Sequence, residues 1–300
     1  MKSKHYALLL SAGLAALALG GPALAKSRIE KSLSLEPKGR FVLDSDEGSV
    51  NVTGTSSSGA RIVITCNRDD MEDYFDFSFE GGAGEARVSA RRRHWDGGWH
   101  RNVSLHYEIE VPKETSTDIR TGGGGIRLDG LRGESQLKTS GGSIEVSGLN
   151  GNLQADTSGG SIQLREVTGD ARIGTSGGGI EVGSLDGSLR AHTSGGPIRI
   201  DRVTGYLEAK TSGGSVHANF GRGNTHGGDL ETSGGSIEVA VDPSANLEVD
   251  ASTSGGSVSS DLAIRVMGKI SSSSLHGTIG AGGEPLRLHT SGGDIRIRSL

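Results

Sequence analysis

Gly174-Thr175-Ser176-Gly177-Gly178 has the G-x-S-x-G form of a hydrolase nucleophile elbow, in which a serine is presented on a sharp turn between a strand and a helix. Here the turn leads into Ile180-Glu181-Val182, whose alternation belongs to a strand, and Thr-Ser-Gly-Gly recurs at 139, 157, 193, 211, 232, 253 and 290. The motif is therefore read as repetition and not as a catalytic serine. Asp69, Asp70, Glu72 and Asp73 form an acidic run that could attract a cation, although a solvated loop is the commoner meaning of such a run. His94 and His100 lie near each other without a third ligand at a fixed spacing, so neither a metal nor another cofactor is expected. Cys66, the only cysteine, shares a strand face with Ile62 and Ile64 and reads as a buried small hydrophobe.

The segment richest in recognition chemistry is Arg91-Arg92-Arg93-His94-Trp95-Asp96-Gly97-Gly98-Trp99-His100-Arg101, which holds both tryptophans of the chain. Cations beside exposed aromatics suit anionic glycans, phosphate headgroups or an acidic protein. Arg91, Arg92, Arg93, His94, Trp95, Trp99, His100 and Arg101 are thus the candidate partner-binding residues. Asp96-Gly97-Gly98 is a hairpin turn signal that would set Trp95 across from Trp99, where the pair could instead only steady the hairpin. The acidic segment 69–76 offers internal counter-charges for the same arginines.

The elements that must carry these residues are set by a repeat. From Thr121 the Thr-Ser-Gly-Gly signature, or its variant Thr121-Gly122-Gly123-Gly124, returns every 18 residues as far as 211 and then twice after 21. A fixed period of this size is the mark of a solenoid. Ile126, Ile144, Ile162, Ile180, Ile198, Val216, Ile237, Val258, Ile279 and Ile295 form one apolar column, followed two places on by Leu128, Val146, Leu164, Val182, Ile200, Ala218 and Val239. Between them runs a polar column, Arg127, Glu145, Gln163, Glu181, Arg199, His217 and Glu238, so each pair reads as a short strand with one buried face. Ser135, Leu153, Ala171, Leu189 and Leu207, with Leu137, Ala155, Ile173, Ala191 and Ala209, give the opposite wall, and the alternation carries each repeat threonine inward. The expected fold is all-β: a single-chain β-solenoid (β-helix) with coils of 18–21 residues, two strands and two glycine turns per coil, and a projecting N-terminal hairpin. Ten coils over 121–300 would make a rod of roughly 45–50 Å at one strand spacing per coil. Ser274–Ile279 is read as a degenerate coil, and the last strand, Ile295-Arg296-Ile297, as an open end on which Arg296 and Arg298 discourage edge pairing, giving a monomer or weak oligomer.

Residues 26–120 read as an irregular β region, with first coils at Gly48-Ser49-Val50-Asn51-Val52 and strands near 60–66, 74–80, 85–92 and 103–111. Before them, Lys2 and Lys4, the apolar run 6–20 and Ala23-Leu24-Ala25 form a signal peptide over 1–25, cleaved after Ala25. The remaining chain has no transmembrane segment, so export to the periplasm or beyond the cell is expected. Composition agrees with this reading. The 51 glycines among 300 residues argue against helical bundles, and a formal charge of −5 offers no general attraction to nucleic acid.

The strand Tyr107-Glu108-Ile109-Glu110-Val111-Pro112-Lys113, the glycine–Ile-x-Val repeat that follows it and the earlier Gly48–Val52 copy resemble the bacterial "putative adhesin" family, a domain of unknown function in envelope proteins. The resemblance spans nearly all of 28–300 and implies a β-solenoid with an envelope role and no catalytic residues to transfer. The expected function is a non-catalytic scaffold or binding module for a glycan, a lipid headgroup or a protein. The alternative is a carbohydrate-active enzyme, a polysaccharide lyase or hydrolase on a β-helix. That would need clustered acids and a base on one face, whereas the outward columns alternate in sign.

Overall fold

The computed structural model describes residues 27–93, 103–267 and 271–300, so the signal-peptide segment 1–25 lies outside the described residues. The chain winds into a β-solenoid of two long sheets, each of 14 strands among the described residues. Each regular coil gives one strand to each sheet, paired in parallel and in register with the coils on either side. Ile126, Ile144, Ile162, Ile180, Ile198, Val216 and Ile237 are successive register partners, all buried. Leu153, Ala171, Leu189 and Leu207 line up in the same way on the facing wall. The polar column from Arg127 to Glu238 stands on the outer face, as the alternation requires.

Period-2 patterning accounts for the walls, and two backbone devices account for the corners. Thr175 is buried, and its hydroxyl donates to the carbonyl of Gly160 in the preceding coil (2.8 Å) while accepting the Gly178 N–H (3.3 Å). The same donation runs from Thr139 to Gly124, Thr157 to Gly142, Thr193 to Gly178 and Thr211 to Gly196, so a rail of threonine hydroxyls ties each coil to the last. The acceptor glycines are stacked so tightly that a Cβ on Gly178 would lie 2.1 Å from the Gly160 oxygen, and one on Gly160 2.1 Å from the Gly142 oxygen. No side chain fits there.

A third corner was not expected from the repeat. Gly130, Gly148 and Glu166 take left-handed φ values of 68°, 61° and 53°, and the chain bends there to send Leu131, Leu149 and Val167 back inside. A third buried column results, continued by Leu185 and Val203. It was hidden because Glu166, Ser184 and Arg202 occupy the corner in three coils where glycine would have announced it.

Both ends of the stack depart from sequence order. Ile295–Ser299 lies between Ile237–Val241 and Val258–Ser260, and Glu284–Thr290 lies between Gly228–Thr232 and Leu247–Thr253. The last strand is therefore interior and not an open end, which removes the edge-guarding role expected of Arg296 and Arg298. Arg296 instead pairs with Asp261 (3.3 Å) and Arg298 with Glu238. Ser274–Ile279 is likewise not a coil: it pairs antiparallel with Leu247–Thr253, and Ile279 faces Leu247 in the second sheet instead of joining the isoleucine column. At the other end Ser49–Thr55 packs directly on Ile126–Asp129 and Arg40–Ser45 on Ser116–Thr121, with Leu105–Pro112 and Ala60–Cys66 stacked outside the first and Glu85–Arg92 outside the second. The expected hairpin forms from Phe75–Gly81 and Glu85–Arg92 but does not project, because Glu85–Arg92 pairs with Arg40–Ser45 and the hairpin ends the second sheet. Cys66 is buried with Ile62 and Ile64 as expected. The buried Tyr107 hydroxyl meets that of Ser45 (2.8 Å), and burial raises the phenol's pKa.

Two outcomes are expected. Gly178→Ala should lower stability by about 1–3 kcal/mol, the usual penalty of overpacking. Gly177→Ala, whose Cβ would meet nothing nearer than 3.5 Å, should be close to neutral in the same denaturant titration. The second concerns Asp294, whose carboxylate accepts the Ser257 N–H (2.8 Å) and hydroxyl (2.9 Å) and is thereby held below the usual carboxylate range. A depressed folded-state pKa stabilises above the unfolded value and ceases to do so as pH falls through the folded one. The melting-temperature gap between the parent and Asp294→Ala should therefore be present at pH 7 and close on acidification.

Candidate functional site

Of the recognition residues expected from the sequence, Arg91, Arg92 and Arg93 are described, at the end of the hairpin, and all three are exposed. His94, Trp95, Trp99, His100 and Arg101 lie outside the described residues, as does the turn at Asp96-Gly97-Gly98. The flanking strands Glu85–Arg92 and Leu105–Pro112 belong to opposite sheets.

The three described arginines meet carboxylates within the fold. Arg91 bonds to Asp46 (2.9 Å) and to Asp44, and these hydrogen bonds raise its pKa further above neutrality. Arg92 pairs with Glu47 (2.9 Å) and its N–H donates to Asp46 (2.8 Å), while Arg93 pairs with Asp76 (2.6 Å). The counter-charge expected from the 69–76 segment reaches Arg93 through Asp76. Although Arg91 stands opposite Asp76 in the hairpin register, its partners come from the neighbouring strand Arg40–Ser45 and the turn after it. Pairs this exposed contribute little, typically under about 1 kcal/mol. The acidic run itself forms a short 3-10 turn, Met71–Asp73, anchored by buried Met71. Among the described residues no group of three or more His, Cys, Asp or Glu could hold a metal ion.

The two outer faces carry polar rows whose charges are largely balanced. On the first sheet Arg127 pairs with Glu145 (2.6 Å) and Gln163 donates to Glu181 (3.3 Å). On the second, Asp118 is buried between Arg40 (2.7 Å) and Arg120 (3.2 Å). Further along, Lys210 lies between Asp229 (2.9 Å) and Glu231 (3.3 Å), and the Asp229 hydrogen bond holds it above the usual lysine range.

Between Asp118 and Lys210, which lines its far side, the second face opens into a groove of about 450 Å³. Its floor is Gly174, whose register neighbours are Asp156 and His192, and its wall holds Arg172 beside Arg190. Sequence reasoning tabulated the inward columns of this strand and passed over the outward ones. The alignment that gave Leu153, Ala171, Leu189 and Leu207 also yields Gln154, Arg172, Arg190 and Glu208 one place on.

The regular coils that build this groove are recognisable beyond the present chain: residues 152–298 match the protein family described as Toastrack DUF4097. Over those residues, just under half of the chain, it is similar to that family. The assignment bears out the family resemblance drawn from the repeat, although the Tyr107–Lys113 strand lies before the Toastrack match. Solved structures to which the chain is similar include a putative adhesin from Bacteroides fragilis, at 14% identity over 92% of this chain and 98% of that one, with a TM-score of 0.43. Another is a putative lipid binding protein from Parabacteroides distasonis, at 13% identity over 91% of this chain and 96% of that one, with a TM-score of 0.44. A third, a putative cell adhesion protein from Clostridium sporogenes, has 13% identity over 91% of this chain and all (100%) of its own, with a TM-score of 0.25. No curated protein matches the chain.

Proposed function

We propose that this chain is an exported, non-catalytic binding or scaffold module of the cell envelope, acting in the periplasm or outside the cell. Export rests on the basic start, apolar run and Ala-x-Ala site of residues 1–25. The observation that carries the non-catalytic reading is the state of the surface carboxylates. Among the described residues, the carboxylates whose pKa is displaced, Glu30, Asp242 and Asp294, are all displaced downward, Glu30 chiefly by its hydrogen bond to Arg61 and the others by hydrogen bonds from serine and backbone N–H groups. A general acid for glycoside or uronate chemistry needs the opposite, a carboxyl pushed up towards neutrality. No described helix is long and apolar enough to cross a membrane.

Arg91–Arg101 enters this reading as one contact with the partner. Since Arg91, Arg92 and Arg93 already meet carboxylates, its weight falls on Trp95, Trp99, His94, His100 and Arg101. The purified protein should sediment with envelope material and release no reducing ends or unsaturated uronates from a panel of polysaccharides. Trp95→Ala combined with Arg93→Ala should reduce sedimentation with little change in melting temperature. Turnover of any polysaccharide would replace the module by the carbohydrate-active alternative. Unchanged sedimentation in the double variant would remove the segment from the contact.

A further inference from the structure

The groove on the second sheet carries an arrangement that the fold does not need. Arg172 and Arg190 are register partners on adjacent coils, so their side chains leave the same face one strand spacing apart. Like charges placed directly across a ladder destabilise it. Arg190 is partly relieved by Glu208 (3.5 Å), whereas Arg172 forms no ion pair among the described residues. Lys210, the next cation, is turned to Asp229 and Glu231. Next to the arginines the outward row is interrupted by Gly174, where a Cβ would come 3.1 Å from Asp156 Oδ1, and this missing side chain opens the groove.

Two forked guanidinium groups beside a notch floored by backbone form a receptor for a planar oxyanion, which each can hold through paired N–H donors. We propose that this groove binds the carboxylate of a uronic-acid residue in an acidic polysaccharide, with Arg172 and Arg190 on the carboxylate and the sugar ring over Gly174. Three features favour a uronate over a phosphate. Carboxylates stand at both rims, Asp156 and Glu208, where they would repel a dianion but accept hydrogen bonds from sugar hydroxyls. His192 adds a further polar group beside the glycine. The volume, about 450 Å³, is in the ordinary range for a small-ligand site and holds a sugar unit with room for its neighbours. This site is distinct from Arg91–Arg101 and does not depend on it.

The test is calorimetric titration of the purified protein with trigalacturonate, its methyl ester and inorganic phosphate. The expected result is binding of trigalacturonate, with the methyl ester weaker by about tenfold or more, as loss of a charge-assisted pair requires. Arg172→Gln and Arg190→Gln should each weaken trigalacturonate by a similar factor, and Gly174→Val should abolish binding by filling the notch. Melting temperatures equal to or above the parent's, expected for the arginine variants because a like-charge contact is relieved, separate loss of binding from loss of folding. Arg165→Gln, on the other sheet, should leave binding unchanged. Equal binding of acid and ester, unchanged binding in the arginine variants, or displacement by phosphate at matching concentration would each overturn the uronate site. Failure here leaves envelope association through Arg91–Arg101 intact, because that is read by sedimentation of a different variant.

Discussion

The close approach of glycine backbones at the Thr-Ser-Gly-Gly corner is the constraint on which the rest of the solenoid depends. At Gly142, Gly160, Gly178, Gly196 and Gly214 the carbonyl of the coil below occupies the space a Cβ would take. That carbonyl is also the acceptor for the next threonine hydroxyl, so the same contact excludes side chains and supplies a hydrogen bond. With corner and hydroxyl rail both repeating once per coil, the register of the two walls follows. Ile144, Ile162, Ile180 and Ile198 then stack one on the next, and every outward residue is committed to a row.

A parallel stack has two ends, each a row of unpaired backbone groups open to aggregation. The chain deals with both in the same way. The first regular coil, 40–55, and the last, 284–299, are each enclosed between the regular stack and an excursion of chain. Antiparallel strands finish three of the four sheet ends: Ala60–Cys66 with Ser27–Leu33 on the first sheet, and on the second Phe75–Gly81 at one end and Ser274–Ile279 with Arg265–Val266 at the other, whereas Val258–Ser260 closes the first sheet in parallel. Antiparallel pairing suits this task because it returns the chain without needing another full coil.

The outer faces show what such a scaffold can offer. A solenoid fixes side chains in rows at one strand spacing, so recognition chemistry is written as neighbours along a column, and its electrostatics are decided by which charges fall side by side. Most neighbours here are of opposite sign or bridged, as at Arg127–Glu145 and Arg40–Asp118–Arg120. The Arg172–Arg190 step over Gly174 departs from that rule.

The repeat by itself determined the fold class, the inward isoleucine and leucine columns, the outward polar column and the inward turn of the threonines. These follow from local alternation and a fixed period, which the coils from 121 to 211 display repeatedly. The third corner escaped because Glu166 adopts there the left-handed conformation that glycine takes in other coils. The interior position of Ile295–Ser299, the antiparallel course of Ser274–Ile279 and the seating of the hairpin in the sheet were decided only by tertiary structure. Each depends on which strand edge is left unpaired at the end of the stack, a non-local competition that alternation within a strand does not encode. The partners of Arg91 were settled in the same way: its hairpin neighbour Asp76 was legible, but Asp44 and Asp46 arrive on a strand more than forty residues earlier, brought alongside by sheet order alone.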